Sequence, residues 1–172
     1  RSAASEGLQT QNIAFSGEQV LLISGAQTEQ DLVDSVAFGL SQLLVGMHSG
    51  QAARHVPAWL SSGLAGYISC SEVDDYGAAL RDGIRTRKIK TLLSLDSFGG
   101  TPDDILIAFG QATSVVEFLI GTYGEEKIRD LFSALKRTLN IDLALEEVYG
   151  LDQHDLDKEW RSAMRMEPLS SP

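Results

Sequence analysis

Cysteine is nearly absent from this chain: Cys70 stands alone, so no intrachain disulfide can form and pairing says nothing about the redox compartment. Positive charge is scarce as well, with 14 Lys and Arg against 24 Asp and Glu and a formal net charge of -10. Such an excess of acid repels phosphate backbones and anionic lipid, because affinity for nucleic acid rests mainly on basic side chains neutralising phosphates. No nucleic-acid partner is therefore expected. Long hydrophobic runs are missing too: stretches such as Val20 to Ile23 fall far short of the ~20 residues a membrane helix needs, and no signal-peptide pattern opens the chain. Direct membrane insertion is not expected, and a soluble domain is. The chain begins at Arg1 rather than Met, as a processed form or a piece of a longer protein would. What is present suffices for one ordinary globular domain: 172 residues, 43% hydrophobic and 22% charged. A domain of this size buries roughly two-thirds of the surface its unfolded chain exposes, so it needs no disulfide or metal staple.

Patterning along the chain predicts a mainly helical α+β domain. Residues 1–10 are small and polar and read as a flexible tail, 11–165 as a single domain, and 166–172 as a second tail. Ile13 to Phe15 and Val20 to Ile23 are short β-prone runs joined by Ser16-Gly17-Glu18, which predicts a small N-terminal β element. The period then changes. Leu32, Val36, Leu40, Leu43 and Met47 recur at helical spacing behind Thr28 as a cap, and Pro57 sits at the start of a helix carrying Trp59, Leu60 and Leu64. A short helix is expected over 71–81 and irregular chain over 85–100. Thr101-Pro102-Asp103-Asp104 supplies a cap, a first-turn proline and an acidic first turn for a long apolar helix that Gly124 closes, and this helix is expected to be central. Three more apolar stripes follow over 125–139, 142–149 and 152–164. The architecture expected is a small β element packed on about six helices, with Trp59, Leu60, Leu64, Leu119, Leu131 and Trp160 in the core. No repeat, low-complexity block or linker divides the chain.

Few residues carry chemistry by themselves. No glycine-rich phosphate loop and no Gly-x-Ser-x-Gly elbow occurs. His48, His55 and His154, with carboxylates such as Glu72 or Asp74, are ordinary zinc donors by type, but no two of them stand at i, i+4 on one helix face, which favours plain surface histidines. Arg81, Arg85, Arg87, Lys88 and Lys90 form a basic run without interleaved aromatics, and read as a solvated face. Asp103-Asp104 and Glu125-Glu126 read as helix-start carboxylates rather than an acid/base pair. Cys70 has no activating partner nearby in sequence and reads as a bystander thiol.

The informative stretch is LVDSVAFGLSQLLVGMHSGQAARHVPAWLSSGLAGY over 32–67, together with AFGQATSVVEFLIGTYGEEKIRDLF from Ala108 and the segment 145–160, with its Gly-Leu and final Leu-x-x-x-Trp. In this order they resemble the peptidase MA-like domain of the gluzincin zinc metallopeptidases. There a helix carrying H-E-x-x-H is followed by P-x-W-L-x-E-G-L-A-x-Y, and later by a tyrosine-containing string. The second motif stands here as Pro57-Ala58-Trp59-Leu60-Ser61-Ser62-Gly63-Leu64-Ala65-Gly66-Tyr67. Zinc peptidase chemistry needs two imidazoles at i and i+4, a glutamate to activate water, and a third donor from the next helix. In the register that fits the resemblance, Phe38 stands for the first histidine, Gly39 for the catalytic glutamate, Gln42 for the second histidine and Ser62 for the glutamate ligand. Phe109 stands for the assisting tyrosine.

The resemblance thus implies a gluzincin-like fold whose zinc is absent and which has no catalytic residue. Three readings follow: a pseudopeptidase that binds an unidentified peptide or protein, a purely structural module of a larger protein, and an active zinc peptidase that recruits replacement ligands from outside the family motif. His48, His55, Trp59 and Tyr67 are the residues that would line a cleft or meet a partner. The resembling family is often exported or tethered to membranes, which implies an extracytoplasmic location. Fold alone does not choose among these functions.

Overall fold

The computed structural model describes residues 50–69, 74–95 and 98–166. The expected N-terminal tail over 1–10, the β element, the helix over 28–47 and the C-terminal tail past Met166 lie outside that set. Among the described residues the architecture is helical: a 3-10 segment Gly50–His55, then α1 (Ala58–Ser69), α2 (Asp74–Arg85), a 3-10 turn Leu92–Ser94, α3 (Pro102–Tyr123), α4 (Glu126–Thr138), α5 (Ile141–Tyr149) and α6 (Gln153–Ala163).

Local chemistry sets these boundaries. Pro57 directly precedes α1, and its carbonyl accepts from Leu60 N and Ser61 N at 3.1 and 3.2 Å, which a residue lacking its own N–H can still do. Thr101 and Asp104 form a reciprocal capping box around Pro102 at the start of α3, and Gly124 at φ 89° ends that helix. Asn140 caps α5 by accepting from Asp142 N and Leu143 N, Gly150 closes it in the left-handed region at φ 75°, and Asp152 caps α6. Two expectations need correction. α2 runs to Arg85 rather than 81, because Leu80 and Ile84 continue its apolar stripe. Within 85–100 the chain is not wholly irregular, since Thr91 accepts from Ser94 N and organises a 3-10 turn. Glu125 makes no side-chain cap, although Glu126 does lie in the first turn of α4.

α3 is the central element, and α1 and α2 make the most extensive helix packings on it. Helix α4 pairs chiefly with α5, and α6 touches both α3 and α5. One hydrophobic cluster joins all of them: Trp59, Leu60, Leu119, Leu131, Leu135, Leu145, Leu156 and Trp160 are each fully buried, and Leu64 nearly so. Burying each of the large side chains removes about 1.5 to 3 kcal/mol of apolar hydration cost. By length and composition α3 is apolar enough to cross a membrane, with mean hydropathy 1.6 over its best window, yet half of that window is buried inside the domain. The reading that no apolar run approaches membrane length holds only for uninterrupted runs. The helix breaks its apolar sequence with Gln111 and Thr113, both buried, and with Glu117, which is exposed.

Candidate functional site

Phe38, Gly39, Gln42, His48 and Cys70 lie outside the described residues; Ser62, Phe109, His55, Trp59 and Tyr67 lie within them. Ser62 is on α1, 7% exposed. The next residue, Gly63, meets α3 so closely that an added Cβ would stand 2.3 Å from the Ala112 carbonyl oxygen, and one at Gly66 would stand 2.2 Å from Thr113 Oγ1. Only glycine permits that approach. Ser62 is one helical turn before Gly66, and Phe109 is one turn before Thr113, so both positions lie within a turn of the same α1–α3 crossing. The Thr113 hydroxyl at this crossing is buried and lacks a hydrogen-bond partner among the described residues.

Phe109 is half-buried and keeps an aromatic ring without a hydroxyl. It stacks on Phe98 at 4.7 Å between centroids with 15° between planes, and on Tyr76 of α2 at 6.0 Å and 27°. The Tyr76 side of this stack is fixed by backbone packing: a Cβ at Gly110 would lie 2.4 Å from the Tyr76 carbonyl oxygen. The Phe98 side hangs on irregular chain immediately before Gly99 and Gly100.

Trp59 was expected in the core and also among residues facing a partner. It is fully buried, and its Nε1 donates to Gln153 Oε1 at 3.0 Å, which makes it a brace between α1 and α6. Gln153 in turn donates through N and Nε2 to Asp142 Oδ1 at 3.1 and 3.0 Å, tying in the start of α5. Tyr67 and Ile68, at the far end of the motif helix, are 39% and 51% exposed. His55 ends the 3-10 segment and is half-buried.

A second polar system holds the segment between α2 and α3. Gln111 Nε2 and Arg161 Nη2 both donate to the Lys90 carbonyl at 2.7 Å, and Lys90 N donates back to Gln111 Oε1 at 3.2 Å. Arg161 Nε also donates to Asp157 Oδ1 at 3.0 Å, and Asp157 accepts from the Leu92 backbone. Burial pushes the Asp157 carboxyl above the ordinary range, against the pull of Arg161. Sequence reasoning missed this pair. Its signal was an Asp and an Arg at i, i+4 on the same stripe as Leu156 and Trp160. The basic run is largely exposed; within it Arg85 pairs with Asp82, and Lys88 Nζ lies 2.9 Å from Asp104 Oδ1. The Lys88 bond and then the Thr101 hydroxyl lower the Asp104 carboxyl to about 2.

Among the described residues no three of His, Cys, Asp and Glu converge to hold a metal ion. A serine hydroxyl is not among the ordinary zinc donors, imidazole, thiolate and carboxylate, so Ser62 does not fit that metal. What the crossing offers instead is a buried hydroxyl, a stack of aromatic rings and an exposed apolar helix end at Tyr67 and Ile68. Compared with known proteins, the chain matches the model of the Peptidase MA superfamily over residues 7–166. No curated protein and no solved structure matches it.

Proposed function

We propose, since the chain belongs to the peptidase MA superfamily, that it is a non-catalytic member which holds a peptide or protein partner without cleaving it. The observation that carries this reading is Ser62: buried on the motif helix where the metallopeptidase pattern requires a glutamate ligand, it offers zinc no carboxylate. Phe38, Gly39 and Gln42 complete the same argument in sequence, since none supplies an imidazole or a general base. Binding is favoured over a purely structural role by Tyr67 and Ile68, which leave the end of the same helix apolar and exposed. The partner is then a peptide or protein with an apolar surface, and an extracytoplasmic setting is the one the family resemblance implies.

Elemental mass spectrometry of the purified protein tests the reading, together with thermal melting in zinc and in chelator. Less than stoichiometric metal and an unmoved melting temperature are expected. One tightly held equivalent of zinc, with melting sensitive to chelator, would overturn it and return replacement ligands to consideration. The register has its own test: Phe38→His, Gly39→Glu, Gln42→His and Ser62→Glu combined should create zinc binding that the parent lacks.

A further inference from the structure

The chain has three methionines, Met47, Met164 and Met166, of which the last two are among the described residues. They lie at the end of α6, which closes in a Schellman turn: Met166 N donates to the Arg161 carbonyl at 2.9 Å and Arg165 N to the Ser162 carbonyl at 3.0 Å, with Arg165 left-handed at φ 55°. That turn sends Met166 back onto the hydrophobic cluster, half-buried, and leaves Met164 at the helix end 36% exposed. The Met164 backbone is fixed by its own N–H, which donates to the Trp160 carbonyl at 2.9 Å. Its sulfur is held as well, because Ser114 Oγ on α3 donates to Met164 Sδ at 3.9 Å. The same hydroxyl oxygen accepts from Trp160 Nε1 at 3.2 Å, and Trp160 is fully buried. A thioether at the surface is thus one hydroxyl away from an indole in the core.

We propose that Met164 is a site of oxidation by hydroperoxides and that Ser114 receives the sulfoxide. Ser114 is buried, with Trp160 as its donor, and its own proton goes to sulfur, a weak acceptor. An oxygen added to that sulfur gives the proton a stronger acceptor in the same place, so oxidation here improves a hydrogen bond where in an apolar core it would only introduce a polar group. The unbranched methionine side chain turns about its own bonds to present that oxygen. The reaction balances with the peroxide alone. A sulfur lone pair attacks the outer oxygen of the hydroperoxide, and the S–O bond forms as the O–O bond breaks. Sulfur is oxidised by two electrons, and the peroxide leaves as an alcohol, or as water from hydrogen peroxide, carrying the proton of the transferred oxygen. The oxidation state of the helix end is then read in the core, through Ser114, at the joint between α6 and α3.

The test uses the whole chain and hydrogen peroxide as probe. Trypsin places Met164 and Met166 on separate peptides, 162–165 and 166–172, so mass spectrometry assigns each added oxygen. Peptide 162–165 should gain one oxygen several-fold faster than 166–172, and the Trp160 indole N–H resonance should shift as it does. The indole of Trp59, bonded to Gln153, is the control that should stay in place. In Met164→Leu the Trp160 resonance should ignore peroxide, and in Met164→Gln, whose amide oxygen imitates the sulfoxide, it should be displaced before any peroxide is added. In Ser114→Ala, oxidation should lower the melting temperature by about 2 to 4 °C more than in the wild type, the shift that one lost hydrogen bond gives in a chain of this size. A Trp160 resonance unmoved by oxidation of Met164, a peptide 166–172 oxidised while 162–165 is not, or equal melting shifts with and without the Ser114 hydroxyl would each overturn the proposal, and the first two need no variant.

Discussion

Gly63 and Gly121 separate two roles that glycine plays in helices. At Gly63 a Cβ would press on the Ala112 carbonyl oxygen at 2.3 Å and on Val116 Cγ2 at 2.7 Å, whereas at Gly121, on the exposed side of α3, it would meet nothing within 4 Å. Gly63→Ala should therefore force α1 off α3 and cost about 1 to 3 kcal/mol. Gly121→Ala should gain up to about 1 kcal/mol from helix propensity alone. Urea midpoints of the two variants measure this, and similar values for both would mean that the α1–α3 approach is not as tight as described. Asp104 makes a residue-scale prediction in pH. Its carboxyl is lowered from 3.8 to about 2 by Lys88 first and Thr101 second. A depressed carboxyl contributes stability above its unfolded value and loses it as pH falls through the folded one. Carboxyl NMR should place the Asp104 midpoint near 2 in the parent, and Lys88→Met should raise it; an unmoved midpoint would assign the shift to Thr101 instead.

At the scale of elements, helix ends and stripes were legible because their causes are local. Thr101-Pro102-Asp103-Asp104, Gly124 and Gly150 act within a turn of themselves, and the stripe Ile128, Leu131, Ala134 and Leu135 is written at helical spacing. Leu139 was not legible: it ends α4 in the left-handed region at φ 52°, a place sequence rules reserve for glycine or asparagine. The segment between α2 and α3 was also opaque, because its order comes from Gln111, Asp157 and Arg161, which belong to other elements. Those side chains make a prediction about the element they hold. The Asp157 and Arg161 side chains are 2% and 7% exposed, so Arg161→Ala strands a buried carboxylate and leaves the Lys90 carbonyl with Gln111 as its remaining side-chain donor. Breaking such a pair costs about 3 to 5 kcal/mol. Hydrogen exchange should quicken at Lys90 and Leu92 before it quickens in α4. Uniform acceleration across the domain would show that the pair braces the core rather than this segment.

The whole molecule combines a family pattern legible in one dimension with an aromatic stack legible only in three. Residue order sufficed to identify the motif around Ser62, since identity and spacing carry it. The aromatic stack did not show, because Phe98, Tyr76 and Phe109 come from three separate segments that meet only once α2 is laid on α3. Charge is the other property of the whole chain. With 24 acidic against 14 basic residues, the net charge of -10 must be compressed into one folded surface, and that self-repulsion opposes compaction. The exposed pairs Lys88–Asp104, Lys127–Asp130 and Arg137–Glu147 pull the other way, but exposed pairs contribute little because solvent already screens them. Salt weakens both effects. Raising ionic strength from about 0.01 M to about 0.1 M shortens the screening length from about 30 Å, comparable to a domain, to about 10 Å. Repulsion spread over the whole surface loses more by this than ion pairs made at close range. The urea midpoint should therefore rise with salt over that range. A midpoint that falls would mean the local pairs outweigh the net charge, and Arg137→Gln, which removes one of them, should then flatten the fall.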